Sequence, residues 1–327
     1  MRWENLMSLY LCHESALRYW LTKRGDECIP DCADVKTLAF ASSNIGEIRE
    51  AYLPFDYSKK RPLHVMVADR ASQRKSNNVV SHVWGGPVQK GSFYELSGLN
   101  YVSSPEFTFV QMAVNRSTAE LVEIGCYLCG GFSISDKGRG YVGERLPLTT
   151  PEYLAGYLDS QKGAYGTARA RAALAYVIPN TASPMEILLV MAFVLPPALG
   201  GWEMPEVVAN QRIAVDESLQ PIAEATYFKG DIYLPSVRGN VEYDSYEFHT
   251  GRYRLDHTQA RRNVLETMDV KTISATHGQI DTFEKFEAFI WMVKERFGIE
   301  QRAFSKTERA AQMKLYDRLT SPNTKLF

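Results

Sequence analysis

The sequence predicts an α/β protein whose N-terminal part is α+β, and three kinds of observation lead to this fold class. The short, largely apolar segments LHVMVA at 63–68 and NVVSHVW at 78–84 are typical of strands. The Ser-Pro pairs at 104–105 and 183–184 are typical of helix starts. Apolar residues at helical spacing in 281–297 predict an amphipathic helix.

The N-terminal region begins with a predicted helix in residues 9–25, LYLCHESALRYWLTKRG, which Gly25 would end. The segment around His13 is distinctive enough to invite a functional interpretation. We prefer a structural amphipathic helix with His13 near its start. A second helix is expected after Asn44, whose side chain is a good N-terminal cap.

The middle of the chain predicts a strand at 100–102 and a helix that Ser104 opens. Residues 136–161 are rich in glycine and proline and read as a connector with one short helix after Thr150. The basic, alanine-rich helix expected at 163–176 marks the boundary between two domains. The first domain is therefore expected to span residues 1–165.

Composition limits the classes of protein that the chain can represent. Its 327 residues suffice for two domains, and a net charge of −1 means that nucleic-acid binding would require a local basic patch. The first residues have no signal-peptide pattern, and the longest apolar stretch, 187–201, contains two prolines and is too short to span a bilayer. We expect a cytoplasmic protein without membrane contact.

The five cysteines are expected to be reduced thiols, because the count is odd and no secretion signal is present. On spacing alone, Cys28 and Cys32 could join Cys126 and Cys129 in a four-thiolate zinc site. Free cysteine is more commonly a small residue of the core. Zinc is therefore not expected.

Three acidic residues occur where two short strands are expected to form a hairpin. Asp231 opens the first strand, which stops at Pro235, and the second strand follows a turn at Arg238 and Gly239. Glu242 and Asp244 lie two residues apart and so share one face of that strand. Carboxylates brought together repel one another unless a divalent cation neutralises them. This pattern predicts a magnesium-dependent nuclease centre.

The order of these residues resembles the restriction-endonuclease (PD-(D/E)XK) superfamily. The most similar branch is that of the very-short-patch mismatch-repair endonucleases, which have an Asp, an apolar strand, Glu-x-Asp-Gly, a His and a basic helix. Here the corresponding residues are Asp231, Glu242, Asp244 and His249, followed by the helix RLDHTQARRNVL. Ser245 replaces the usual Gly.

The resemblance implies a three-layer domain at 166–303, with a mixed sheet flanked by helices, followed by a polar C-terminal tail at 304–327. It implies Mg²⁺, or Mn²⁺ in its place, held by Asp231 and Glu242, with Asp244 and His249 as further catalytic residues. Arg252, Arg254, Arg261 and Arg262 would then bind phosphates of nucleic acid.

Glu186 lies in the first turn expected for a strongly apolar helix that Ser183 and Pro184 open. An acid there usually only interacts favourably with the helix dipole. In the superfamily, the first core helix often carries an acid that reaches the metal. The resemblance therefore adds Glu186 as a candidate metal ligand, with the dipole interpretation left open.

The front half loosely resembles AbiEi-type proteins, antitoxins and regulators of bacterial toxin–antitoxin pairs, through VSSPEFTFVQMA. Two functions follow as expectations. The first is a metal-dependent endonuclease acting on DNA in repair or phage defence, with RNA as a less favoured substrate. The second is a non-catalytic DNA-binding antitoxin or regulator with a cognate toxin as partner. The sequence does not predict an oligomeric state.

Overall fold

The computed structural model describes residues 7–244, 252–321 and 326–327, except for the side chains of 252–258. The protein is a mixed α/β structure. Its described residues form two compact units, the first ending at Val177 and the second beginning at Ile178. Residues 326–327 group with the first unit.

The first unit is organised by a six-stranded sheet in the order β2-β5-β6-β1-β3-β4. Its strands, with a separate β7–β8 pair, are β1 (Leu9–Leu11), β2 (Cys32–Ala33), β3 (Leu63–Val67), β4 (Val79–Val83), β5 (Phe93–Ser97), β6 (Asn100–Ser103), β7 (Phe132–Ile134) and β8 (Tyr141–Glu144). Its helices are α1 (His13–Thr22), α2 (Ile45–Glu50), α3 (Pro105–Met112), α4 (Thr118–Leu128), α5 (Pro151–Ser160) and α6 (Thr167–Leu174). β1 is parallel to β6 and antiparallel to β3, and β3 is parallel to β4.

The helix starts predicted at Ser104 and Asn44 are present, whereas the helix predicted at 9–25 is shorter, because residues 9–11 form β1 and α1 begins at His13. The Ser104 hydroxyl accepts a hydrogen bond from the backbone N–H of Phe107 at 3.1 Å, and Asn44 caps α2 through the N–H of Gly46 at 2.9 Å. Each bond satisfies an N–H that the first turn of a helix leaves without a partner. Local sequence was sufficient to predict both caps.

The boundary between the units differs from the one expected after residue 165. Helix α6 belongs to the first unit, where Ala170 and Ala173 are buried. The Arg169 guanidinium donates to the carbonyls of Ala113 and Arg116 at 3.0 and 3.1 Å. These contacts span more than fifty residues, so the local composition of α6 does not reveal them.

The second unit contains a four-stranded sheet in the order β12-β11-β10-β9. Its strands are β9 (Val208–Ala214), β10 (Tyr227–Leu234), β11 (Gly239–Asp244) and β12 (Lys271–Thr276), and its helices are α7 (Pro184–Val194), α8 (Gln220–Ala223), α9 (Arg252–Thr267), α10 (Phe283–Phe297) and α11 (Lys306–Thr320). Strands β9, β10 and β11 are successively antiparallel, whereas β12 is parallel to β11. Helix α9 is the crossover that a parallel pair requires.

The residues expected to form a polar tail contain helix α11. Ser305 and Glu308 form a capping box at its start, and Leu315 and Tyr316 are buried. The Tyr316 hydroxyl donates to the Ile280 carbonyl at 2.8 Å. With few apolar residues, α11 has a weak sequence signal, although it packs on the core of the second unit.

The core of the second unit lies between the sheet and helices α7, α10 and α11. It includes apolar residues of these elements such as Phe193, Ile232, Val241, Phe289 and Tyr316. A second apolar cluster joins the sheet to α9 through Phe228, Val264 and Leu265. Strands β9 and β10 therefore contribute residues to both apolar clusters.

Candidate functional site

The β10–β11 hairpin brings Asp231 to the backbone of the neighbouring strand. Its strands pair in the register Ile232 with Val241 and Leu234 with Gly239. The Asp231 carboxylate Oδ2 accepts a hydrogen bond from the backbone N–H of Tyr243 at 2.9 Å. Because β11 carries both Tyr243 and Glu242, this bond fixes Asp231 beside Glu242.

One oxygen of Glu242 is held from two sides. Its Oε1 accepts from the Asn240 amide at 2.9 Å and lies 2.6 Å from the Arg261 guanidinium of α9. The same guanidinium donates to the Lys229 carbonyl at 2.5 Å. Asn240 approaches β10 closely because residue 230 is glycine: a Cβ there would lie 2.4 Å from the Asn240 Oδ1.

The carboxylates raise one another's proton affinity. Burial raises the pKa of Asp231, and the charge of Asp244 adds to this effect, whereas Arg261 lowers it. Burial likewise raises the pKa of Glu242, with Asp231 and Asp244 adding and Arg261 opposing. Asp231, Glu242 and Asp244 therefore form one electrostatically coupled acidic cluster, as the sequence predicts for these three residues.

Glu186 lies near Asp231, but its oxygens are already engaged. Its Oε2 accepts from the Ala182 N–H at 2.8 Å and from the Asn210 amide at 2.6 Å, and its Oε1 accepts from the Ser183 hydroxyl at 3.1 Å. Burial, with the charge of Asp231 as a second cause, raises the pKa of Glu186 to about 7. Glu186 thus stabilises the first turn of α7 through its hydrogen bonds, and the charge of Asp231 contributes to its raised pKa.

The donor set of the cluster suits a hard divalent cation. Within the described part of the chain, Oδ1 of Asp231 and Oε2 of Glu242 have no protein hydrogen bond, whereas the second oxygen of each carboxylate is fixed. Mg²⁺ and Mn²⁺ prefer such carboxylate oxygens. The residues therefore fit the cation that the resemblance implies, through one oxygen each of Asp231 and Glu242.

The predicted histidine and the four predicted arginines differ in how much of each the structure describes and in what they contact. His249 lies outside the described residues, and Arg252 and Arg254 belong to α9 with their side chains outside the described set. Arg261 was expected to bind phosphate; its guanidinium is engaged by Glu242 instead. Arg262 forms an exposed pair with Glu266 at 3.7 Å. Of the predicted basic residues with described side chains, only Arg261 reaches the acidic cluster.

Sequence reasoning missed the two asparagines that support the acids, Asn210 and Asn240. It also passed over a cluster in the first unit around Cys12, His13 and His82. Among the described residues, these are the only three Cys, His, Asp or Glu residues whose ligand atoms all lie within 4.8 Å of one another. The oxygens of the acidic cluster are more widely spaced. His82 is an isolated histidine in the sequence, and only its place in β4 brings it to the start of α1.

The four cysteines weighed as a zinc site occupy two different environments. Cys28 and Cys32 are exposed, whereas Cys126 and Cys129 are buried. Burial raises the pKa of the Cys129 thiol well above its ordinary range. The geometry thus gives no support to a shared four-thiolate site.

Comparisons of the chain with protein-family models, with curated proteins and with solved structures found no match. Among the described residues, no helix has the length and apolar character needed to cross a bilayer.

Proposed function

We propose that the second unit is a metal-dependent phosphodiesterase acting on DNA, of the restriction-endonuclease-like class. One observation carries the proposal: Asp231 and Glu242 stand side by side across a hairpin, and each has one fixed oxygen and one oxygen with no hydrogen-bond partner among the described residues. Fixing one oxygen orients the other, which is the preorganisation that a metal centre requires. The mixed four-stranded sheet packed against helices is an element that the resemblance also implies.

Asp231 and Glu242 would hold the Mg²⁺. When bound, Mg²⁺ activates water and neutralises charge that develops on a phosphodiester. The chain's own contribution is electrostatic and positional. Tyr243 fixes Asp231, Asn240 and Arg261 fix Glu242, and Glu186 supports the neighbouring end of α7. Asp244 strengthens the negative field that attracts the cation.

The raised pKa values of Asp231 and Glu242 favour a cation as the missing partner. Burial and mutual repulsion both penalise the charged carboxylates. A divalent cation removes this penalty by neutralising both groups, and protons compete with it for the same oxygens. Metal binding to this cluster should therefore strengthen as pH rises.

The proposal is tested by calorimetric titration of Mg²⁺ and Mn²⁺ into the full-length protein, followed by incubation with supercoiled plasmid. Asp231→Asn is the informative variant, because its amide oxygen can still accept from Tyr243 while the charge is lost. The wild type should bind the metal and nick the plasmid, and Asp231→Asn should lose both. A single-stranded RNA offered in parallel distinguishes the substrate.

Asp281→Asn provides the matched control. Asp281 is an acid of the same unit that pairs with Lys285 at 2.9 Å, outside the acidic cluster. This variant should bind the metal and nick the plasmid as the wild type does. Cleavage that persists in Asp231→Asn, or a wild type that neither binds nor cleaves, would contradict the proposal.

A second candidate is a non-catalytic DNA-binding antitoxin or regulator of AbiEi type that retains this fold for recognition. One observation favours it: the Arg261 guanidinium lies 2.6 Å from Glu242, so the protein itself supplies a counter-charge to one of the acids. Such an ion pair between Arg261 and Glu242 can be a permanent part of a fold that has no catalytic role. Binding of DNA without metal and without cleavage, together with capture of a defined toxin partner, would support this candidate.

A further inference from the structure

The start of helix α1 has an unusual backbone. Cys12 precedes the helix, and His13, its first residue, has a φ of +47°. A residue with a large side chain adopts this left-handed region only at a cost, and such residues cluster at functional sites. The backbone N–H of His13 donates to the Gln111 side chain at 2.9 Å. Tertiary contacts therefore hold His13 in place.

Two further histidines, on neighbouring strands, complete a cluster around His13. The rings of His13 and His82 are stacked, with centroids 3.7 Å apart and planes inclined by 15°. The Nε2 of His82 lies 3.0 Å from the Nδ1 of His64, which in turn lies 2.9 Å from a Glu14 oxygen. Arg116 pairs with the other Glu14 oxygen at 3.1 Å. A chain of polar contacts thus runs from Arg116 to His82.

One polar atom of this cluster is buried without the partner that burial normally requires. Among the described residues, the Nδ1 of His13 finds no hydrogen-bond partner, although His13 is only 9% exposed. The Cys12 side chain is completely buried. An unsatisfied buried polar atom is costly, and a ligand that bonds to it would remove that cost.

We propose that Cys12, His13 and His82 form a binding site for a transition-metal dication of the zinc class. One ligand atom from each residue lies within 4.8 Å of the other two, and a sulfur with two imidazole nitrogens is a donor set that selects such ions. On binding, the Cys12 thiol loses its proton to solvent and the thiolate bonds to the metal.

The site must rearrange when it is loaded. Parallel rings direct their in-plane lone pairs side by side, so the stacked rings of His13 and His82 cannot both point at one ion. His82 is half-buried and is the more exposed of the two, so its ring is the one that turns. This sulfur–nitrogen site differs in its donor atoms from the oxygen-only acidic cluster of the second unit. The proposal departs from the expectation, drawn from the sequence, that the protein does not bind zinc.

The test is a titration of Co²⁺ into the full-length, chelator-treated protein, followed by displacement with Zn²⁺. Co²⁺ bound to a thiolate gives a near-ultraviolet charge-transfer band that an oxygen-only site does not give. One equivalent should bind, and Zn²⁺ should abolish the band. Cys12→Ser and His82→Gln should each weaken binding by about 100-fold or more.

Cys28→Ser and Cys32→Ser are the matched controls, because they remove exposed thiols of the same unit. Both should keep the charge-transfer band. If Cys12→Ser does not fold, as circular dichroism will show, His82→Gln at a half-exposed strand position still tests the site. The proposal is overturned if the wild type gives no band, if His82→Gln keeps the wild-type affinity, or if the band disappears with the exposed thiols.

Discussion

Asp231 and Glu242 show how individual carboxylates become a site. Neither residue type is unusual in a strand, but each here has one oxygen bound by the protein and a second oxygen to which no described residue donates a hydrogen bond. Arg261 supplies a counter-charge to Glu242, and the pKa values of both acids are nevertheless raised, because burial makes an uncompensated carboxylate costly.

Glu186 makes the stability of the protein depend on pH. Its pKa of about 7 in the folded state lies above its ordinary value of 4.5. Between these two pH values the folded state binds more protons than the unfolded state, so the free energy of unfolding falls as pH rises. Below pH 4.5 the carboxyl is protonated in both states and the penalty vanishes.

Glu186→Gln should remove this dependence while keeping the size of the side chain. The free energy of unfolding of Glu186→Gln minus that of the wild type should be larger at pH 8 than at pH 5 by about 2–3 kcal/mol. Urea denaturation at both pH values measures the difference. Glu284→Gln, which alters an exposed acid of α10, is the control, and parallel pH profiles for wild type and Glu186→Gln would refute the assignment.

At the scale of elements, the site depends on how closely β11 approaches helix α10. Gly239 begins β11, and a Cβ at this position would lie 2.6 Å from two atoms of the Phe297 ring. Phe297 is buried in the core of the second unit and cannot move freely. The strand that carries Glu242 and Asp244 can therefore pack this closely on α10 only because its first residue has no side chain.

Gly239→Ala should destabilise the protein by about 1–3 kcal/mol, because the added methyl group forces Phe297 or β11 to shift. Thermal and urea denaturation measure the loss. Gly278→Ala is the matched control, since a Cβ at Gly278 would meet no atom within 4 Å. Equal stability of the two variants would show that the contact between β11 and α10 is not as tight as the structure has it.

At the scale of the whole molecule, the described residues form two units, each with its own buried core. The core of the first unit includes Tyr10, Phe93 and Phe107, whereas that of the second includes Phe286 and Phe289. Units with separate cores can lose structure separately, so a core mutation in one need not open the other.

Phe289→Ala tests this separation. Truncating this ring, which is 2% exposed, should destabilise the second unit by about 3–5 kcal/mol. Hydrogen exchange followed by mass spectrometry should then speed up in β10, β11 and α10, while β3 and β6 exchange as in the wild type. Met292→Ala, which shortens a 45% exposed side chain of the same helix, should change neither unit. Equal acceleration in both units would indicate one cooperative body instead.

The sequence by itself determined the features that depend on neighbouring residues. The alternation around Asp231 and Glu242 predicts the hairpin and the shared face of Glu242 and Asp244, because side chains repeat every two residues along a strand. The start of α7 follows equally from Ser183, whose hydroxyl accepts from the Glu186 N–H at 3.1 Å, since a cap acts within one turn. Mixed α/β structure and two regions were predictable for the same reason.

Only the tertiary structure decided the contacts between residues that are distant in the chain. Arg261 reaches Glu242 across nineteen positions, α11 packs on a core whose other members precede it, and His82 meets His13 across sixty-nine. Such contacts depend on strand order and helix packing, which a local pattern does not specify. Sequence could therefore propose the acids of the cluster, whereas the fold alone showed that Arg261 neutralises one of them and gathered the histidines of the first unit.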